Sequence, residues 1–253
     1  MKHTFYFFLI SVCLFTSCSD DSINSFDSGG GGVLQGSLNR FSVSGDYLYV
    51  INNTQLIPYN ISSPSSPTQE TAIEVGVGIE TVITKGNNLF IGANDGMYIF
   101  DISNRANPIL LSVYDHVLSC DPVAVQGNYA YVTLRTSSEC RQGSNVLDVV
   151  DISDLRNPRL VSSTPMENPH GLGVEGEELF VTEGIYGLKH FSVVDPSFPQ
   201  IKKHLQNIPH NVDVIPVDNV NYNDILIVTG AEGIYQYDYS SGSLNQISQL
   251  SFQ

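Results

Sequence analysis

Five short segments of this chain repeat one pattern, a turn residue followed by an apolar run: SGDYLYV (Ser44–Val50), KGNNLFI (Lys85–Ile91), QGNYAYV (Gln126–Val132), EGEELFV (Glu175–Val181) and YNDILIV (Tyr222–Val228). The turn positions Gly45, Gly86, Gly127, Gly176 and Asn223 lie 41, 41, 49 and 47 residues apart. Each segment continues through a second turn into a run such as GMYIFDIS (Gly96–Ser103) or NVLDVVDIS (Asn145–Ser153). A proline-bearing turn (NRANP, DLRNP) and a last run (ILLSVYD, RLVSSTP) follow. These runs are short, rich in Val, Ile, Leu, Tyr and Phe, and bounded by Gly, Asn, Asp or Pro, which makes them strands. No stretch beyond the N-terminal region has a helical period long enough to compete. Four strands per repeat at a period near 41 residues is the mark of a propeller blade, because a ring of blades removes most open sheet edges. The reading is all-β: a five-bladed β-propeller of four-stranded antiparallel blades, near residues 38–75, 76–116, 117–166, 167–207 and 208–253.

The first 17 residues stand apart from the repeats and read as an export signal. Lys2 and His3 give a basic start and Phe5–Phe15 an apolar stretch of 11 residues, about half of the ~20 that a spanning helix needs. Leu14 to Cys18 (LFTSC) resembles a bacterial lipobox, which implies acylation of Cys18 as the new N-terminus and anchoring through lipid. The acidic residues just after Cys18 resemble the tags that send some lipoproteins to the outer face of the outer membrane. The expected location is therefore the outer membrane, cell-surface exposed, with a periplasm-facing placement as the alternative. Residues 18–37 contain SDDSINSFDSGGGG, too poor in apolar side chains to bury a core, and serve in this reading as a tether. With 26 acidic against 11 basic residues the net charge is −15, which argues against nucleic acid and anionic lipid as partners.

GNYAYV and LDVVDISDLRNPRLV closely resemble the LVIVD repeat family of bacterial and archaeal surface proteins, which form β-propellers. The resemblance runs from about Leu38 to Phe252. HVLSCDPVAVQGNYAYVTLR and NPHGLGV are similar to exported LVIVD lipoproteins whose biochemical role is not established. The resemblance implies a fold and a location and almost no mechanism. The first repeat departs by carrying Asn60 where later repeats carry Asp101 and Asp151, and the fifth ends in DYSSGS without proline, so both departures adjoin the seam where the ring must close. Asp101 and Asp151 precede a turn, where a carboxylate accepts bonds from turn N–H groups, a scaffold role.

In a propeller the inner strand of each blade begins at one mouth of the channel, and the turn between the second and third strands lies on that face. Counting six residues back from each turn position gives Asn39, Glu80, Asp121 and His170, and the match of PHNVDV to PHGLGV places His210 at the same station. Equivalent stations form a ring. Glu80, Asp121, His170 and His210 could hold a divalent metal, since imidazole and carboxylate suit Zn, Mn or Fe; a hydrated polar rim is the other reading. Arg135 opens the long loop RTSSECRQGSN, which brings Glu139 and Arg141 to the same face. Cys120 and Cys140 flank this region, and in an oxidising compartment a disulfide is favoured over metal ligation with His116. His116, His190 and His204 fall outside the ring. VDNVNYND lacks the Gly and distal Glu of an EF-hand loop.

There is no G-x-S-x-G, no H-E-x-x-H and no phosphate-binding glycine loop. Three functions stay open. The first is a surface-anchored module binding a glycan, a peptide or an envelope protein at the mouth; the second is a metal-dependent hydrolase or lyase at the same place; the third is a passive platform.

Overall fold

The structure is a computed structural model and describes residues 38–115, 122–136, 144–206, 208, 211–219 and 222–252. Blade 1 holds β1 (Phe41–Ser44), β2 (Tyr47–Ile51), β3 (Gln55–Asn60) and an outer position shared by β4 (Thr68–Gln69) and β5 (Ile73–Glu74). Blade 2 holds β6 (Thr81–Lys85), β7 (Asn88–Ala93), β8 (Gly96–Asp101) and β9 (Ile109–Asp115). Blade 3 holds β10 (Val123–Gln126), β11 (Tyr129–Leu134), β12 (Val146–Asp151) and β13 (Arg159–Pro165). Blade 4 holds β14 (Leu172–Glu175), β15 (Glu178–Thr182), β16 (Leu188–Ser192) and β17 (Gln200–Leu205). Blade 5 holds β18 (Asn211–Asn219), β19 (Tyr222–Gly230), β20 (Gly233–Asp238) and β21 (Asn245–Ser251). The first strands of successive blades touch one another, so they line the axis of a five-bladed propeller. No helix among the described residues is long and apolar enough to cross a membrane.

Local chemistry explains each repeat. Gly45, Gly86, Gly127 and Gly176 take φ of 55, 57, 56 and 57° at the first central position of the hairpin joining the first two strands, where other side chains are strained. The carbonyls of Asp46, Asn87, Asn128, Glu177 and Asp224 each accept an N–H from the end of the third strand. This puts Asn223 in register with the four glycines, although blade 5 extends the hairpin into two nine-residue strands. At the next turn Asn60, Asp101, Asp151, Asp195 and Asp238 accept the N–H two residues ahead at 2.9, 2.7, 2.8, 3.1 and 2.8 Å. Bonds from the hydroxyl and N–H of Ser103 hold the Asp101 carboxyl below its usual range, and those of Ser240 do the same for Asp238. The N–H and hydroxyl of Ser153 hold down Asp151. These carboxylates are bound to the turns.

Blades 2 to 5 carry a β-bulge between third and fourth strands, at Ile99/Phe100, Val149/Val150, His190/Phe191 and Gln236/Tyr237. Blade 1 has Pro58 at that point. Proline supplies only its carbonyl, which accepts Glu70 N–H at 2.9 Å, and the outer strand splits into β4 and β5 around it.

Packing between blades follows strand alternation. Four buried apolar clusters join blades 1 and 2, 2 and 3, 3 and 4, and 4 and 5. Polar bonds supplement them, among them Ser42 to Thr84 at 2.8 Å, Ser112 to Leu155 O at 2.6 Å, Ser162 to Ser197 O at 2.7 Å and Lys203 to Ser243 at 3.0 Å.

Candidate functional site at the channel mouth

Asn39, Glu80 and His170, three of the five residues of the predicted ring, share one backbone station. Glu80 N–H donates to Gly92 O at 3.0 Å and His170 N–H to Thr182 O at 2.7 Å, linking in each blade the residues six before and six after the hairpin glycine. One residue further on, the carbonyls of Arg40, Pro122 and Gly171 accept from Ile51, Thr133 and Thr182, which sets Asn39 at the same station in blade 1. Asp121 and His210 lie outside the described residues. The station itself braces the ring: Asn39 O accepts Val82 N–H at 2.9 Å, and His170 O accepts the Thr133 hydroxyl at 2.7 Å.

The side chains differ in state. Asn39 Nδ2 is buried and has no hydrogen-bond partner, an unpaid desolvation cost at the mouth. His170 Nε2 lies 3.0 Å from Asn168 Nδ2; with the amide donating, the ring proton sits on Nδ1. Gly184 permits this approach, because a Cβ there would stand 3.2 Å from His170 Nε2. Burial, and then the Arg135 guanidinium nearby, push the His170 pKa down to about 4. The imidazole is therefore neutral at pH 7. An NMR titration of His170 should give a midpoint near 4 rather than 6.5. Because the folded state binds this proton less readily than the unfolded chain, His170 lowers stability as pH falls from about 6.5 to about 4, and has no such effect above 6.5. A midpoint near 6.5 would contradict the buried placement.

Arg135 and His170 are thus brought together. Among the described residues no three His, Cys, Asp or Glu side chains converge as metal ligands. At His170 the geometry disfavours a cation, since Asn168 occupies Nε2 and Arg135 adds a positive charge. Cys18, Cys120, Cys140, His116, Glu139 and Arg141 lie outside the described residues. The base of the Arg135 loop is fixed: Asn145 Oδ1 accepts Thr136 N–H at 2.9 Å, and its Nδ2 donates to Glu167 O at 2.5 Å.

Beside His170 stands a polar core that the repeat pattern does not announce. Glu183 is wholly buried in the turn between β15 and β16, its Oε2 3.1 Å from the Nζ of buried Lys189. Its Oε1 accepts Glu167 N–H at 2.7 Å, and its own N–H reaches Gly187 O at 2.7 Å and Asn211 Oδ1 at 3.1 Å. His204 Nε2 donates to Tyr186 O at 2.7 Å. This framework fixes the turn while its tip stands clear, Ile185 being 65% and Tyr186 45% exposed. The sequence signal is a lysine inside β16, a strand buried on both faces, where an unpaired cation is excluded.

The other histidine inside a strand has a structural post. His190 stacks on Phe180 with ring centroids 4.4 Å apart and bonds Glu178 through Nε2, while Glu178 also pairs with Lys202 at 2.6 Å. An open cleft lined by Asn87, Asp101, Ser103 and Arg156 lies at the opposite face, among the turns already described.

Residues 35–72, 80–116 and 119–164 match the LVIVD repeat model. The chain belongs to the LVIVD-repeat proteins. No curated protein matches it in sequence. Solved structures match in fold. A protein from Lactobacillus plantarum is similar at a TM-score of 0.66 and 14% identity, over 83% of this chain and 70% of its own. BamB from Moraxella catarrhalis gives 0.57 and 13% over 84% of this chain and 63% of its own. BBS1N, solved in complex with ARL6DN, gives 0.59 and 14% over 81% and 63%. The LVIVD-repeat chain thus spans under two thirds of the last two proteins, and these likenesses concern the fold alone.

Proposed function

We propose that this LVIVD-repeat propeller is a surface-anchored binding module that captures a protein or peptide partner at its channel mouth. In this reading Cys18 carries the lipid, residues 18–37 tether the propeller, and the outer membrane is the anchoring site. The carrying observation is the turn at residues 183–187: an exposed Ile185–Tyr186 tip on a buried ionic base, adjoining a neutral His170. Rigid aromatic and aliphatic anchors beside satisfied polar groups are what protein interfaces use as energetic centres. BBS1N, a fold neighbour, was solved in a protein complex, which adds support by analogy. Asn39, with an unpaired buried amide donor, and Arg135 supply polar groups for a peptide carbonyl or carboxylate. A glycan uses the same donors but has less use for the apolar tip.

The test is a photo-cross-linking residue placed at Tyr186 or, on the opposite face, at Ser103 in the full-length chain expressed in its own cells. A discrete protein adduct from position 186, absent from position 103 and reduced at least ten-fold by Ile185→Asp, is the expected result. Adducts from neither position, or equally from both, would sink the mouth as the binding face. Radiolabelled palmitate incorporated by the wild type and lost in Cys18→Ala tests the anchor.

A further inference from the structure

The five blades present one repeated face toward the preceding blade, and in blade 1 that face is only partly covered. Its central position on the inner strand is Phe41, Val82, Val123, Leu172 and Val214 in blades 1 to 5, opposite Val50, Ile91, Val132, Val181 and Val228 on the second strand. Val82, Val123, Leu172 and Val214 are 0% exposed, whereas Phe41 is 61% exposed. Leu48 and Val50 are half-buried, where their counterparts Leu89, Leu179, Leu226, Ile91, Val181 and Val228 are fully buried.

The cause lies in blade 5. Each preceding blade sends an aromatic ring into the next interface: Tyr49, Phe90, Tyr131 and Phe180, all at most 1% exposed. The fifth residue of this series is Ile227, half-buried, and beside it blade 5 has exposed Gln236 where blades 2 and 3 have Ile99 and Val149. Across the seam Leu38 N–H reaches Asp213 Oδ2 at 3.4 Å, and no buried apolar cluster spans it among the described residues. Among the described residues every blade is built from consecutive strands, so none of these strands crosses over to lock the seam. Among the described residues the seam carries the Leu38–Asp213 bond and lacks one ring.

We infer that the Phe41–Leu48–Val50 face is a docking surface for an aromatic-bearing extended segment of a partner protein. The inference rests on the binding-module reading and adds a second surface to it. The four internal interfaces state what covers this face, namely a strand that places an aromatic ring between aliphatic side chains. A partner strand with that pattern supplies what Ile227 does not.

The probe is fluorescein-labelled EELFVT, residues 177–182, the segment whose Phe180 packs against blade 5. Anisotropy with the full-length chain in detergent should show saturable binding, at least ten-fold weaker for EELSVT. Binding should also fall at least ten-fold with Phe41→Ser, a change on an exposed side chain, and with Ile227→Phe, which fills the seam from within. Absence of peptide binding to the wild type, or equal binding by wild type and Ile227→Phe, overturns the inference. A mouth partner retained at Tyr186 by a chain that fails this test leaves the mouth reading intact and removes only the seam.

Discussion

Phe180→Ala lowers the unfolding free energy by about 3–5 kcal/mol, whereas Ile227→Ala, at the corresponding station, lowers it by about 1–2 kcal/mol. Both substitutions delete an apolar side chain from the second strand of a blade, and only its surroundings differ. Phe180 is fully buried, 4.4 Å from the His190 ring and 5.0 Å from the Tyr239 ring, so its removal leaves a cavity whose walls are held by two sheets. Ile227 is half-buried, in none of the buried apolar clusters, and less is lost when it shrinks. Urea unfolding followed by circular dichroism, with unchanged slopes as the check for a single transition, measures both. Equal losses would mean that the seam is as well packed as the blade 4/5 interface.

Much of this contrast is visible in the sequence once the sheet faces are known. In SGDYLYV, KGNNLFI, QGNYAYV, EGEELFV and YNDILIV the fourth residue after the turn position reads Tyr, Phe, Tyr, Phe, Ile. Alternation shows that this residue lies opposite to its neighbours, but not which blade it meets. That depends on the direction in which the ring closes. The turn chemistry is legible without the fold, since Asn60, Asp101, Asp151, Asp195 and Asp238 need only their own local N–H groups. The stations of Asn39, Glu80 and His170 follow from counting back to a hairpin glycine. Their chemical states do not follow. His170 is set by Asn168, two residues away, and by Arg135 from the neighbouring blade, and no repeat period encodes either contact. The split outer strand of blade 1 traces to a single proline, Pro58, whose effect shows only when four bulges mark the same place in the other blades.

The second large effect is expected at the buried pair beneath the mouth. Lys189→Met removes the cation 3.1 Å from a carboxylate with no exposure to water, and should cost about 3–5 kcal/mol because Glu183 is left charged and uncompensated. Glu183→Gln costs less, since the amide oxygen still accepts the Glu167 N–H and only the lysine loses its counter-charge. The double variant Glu183→Met/Lys189→Met removes both charges and recovers part of the loss. Recovery is incomplete, as the part-buried Glu167 N–H bond to Oε1 also disappears, at about 1–3 kcal/mol. A double-mutant cycle by urea unfolding separates these contributions. Hydrogen exchange supplies the functional half: the amides of Glu183, Tyr186 and Gly187, each bonded within the turn or to Asn211, should lose protection in Lys189→Met. If the single variant loses under 1 kcal/mol and keeps its protection, the ionic base does not hold the Ile185–Tyr186 tip. Loss of both stability and protection would instead make the pair the reason that an exposed, partly apolar turn keeps one shape.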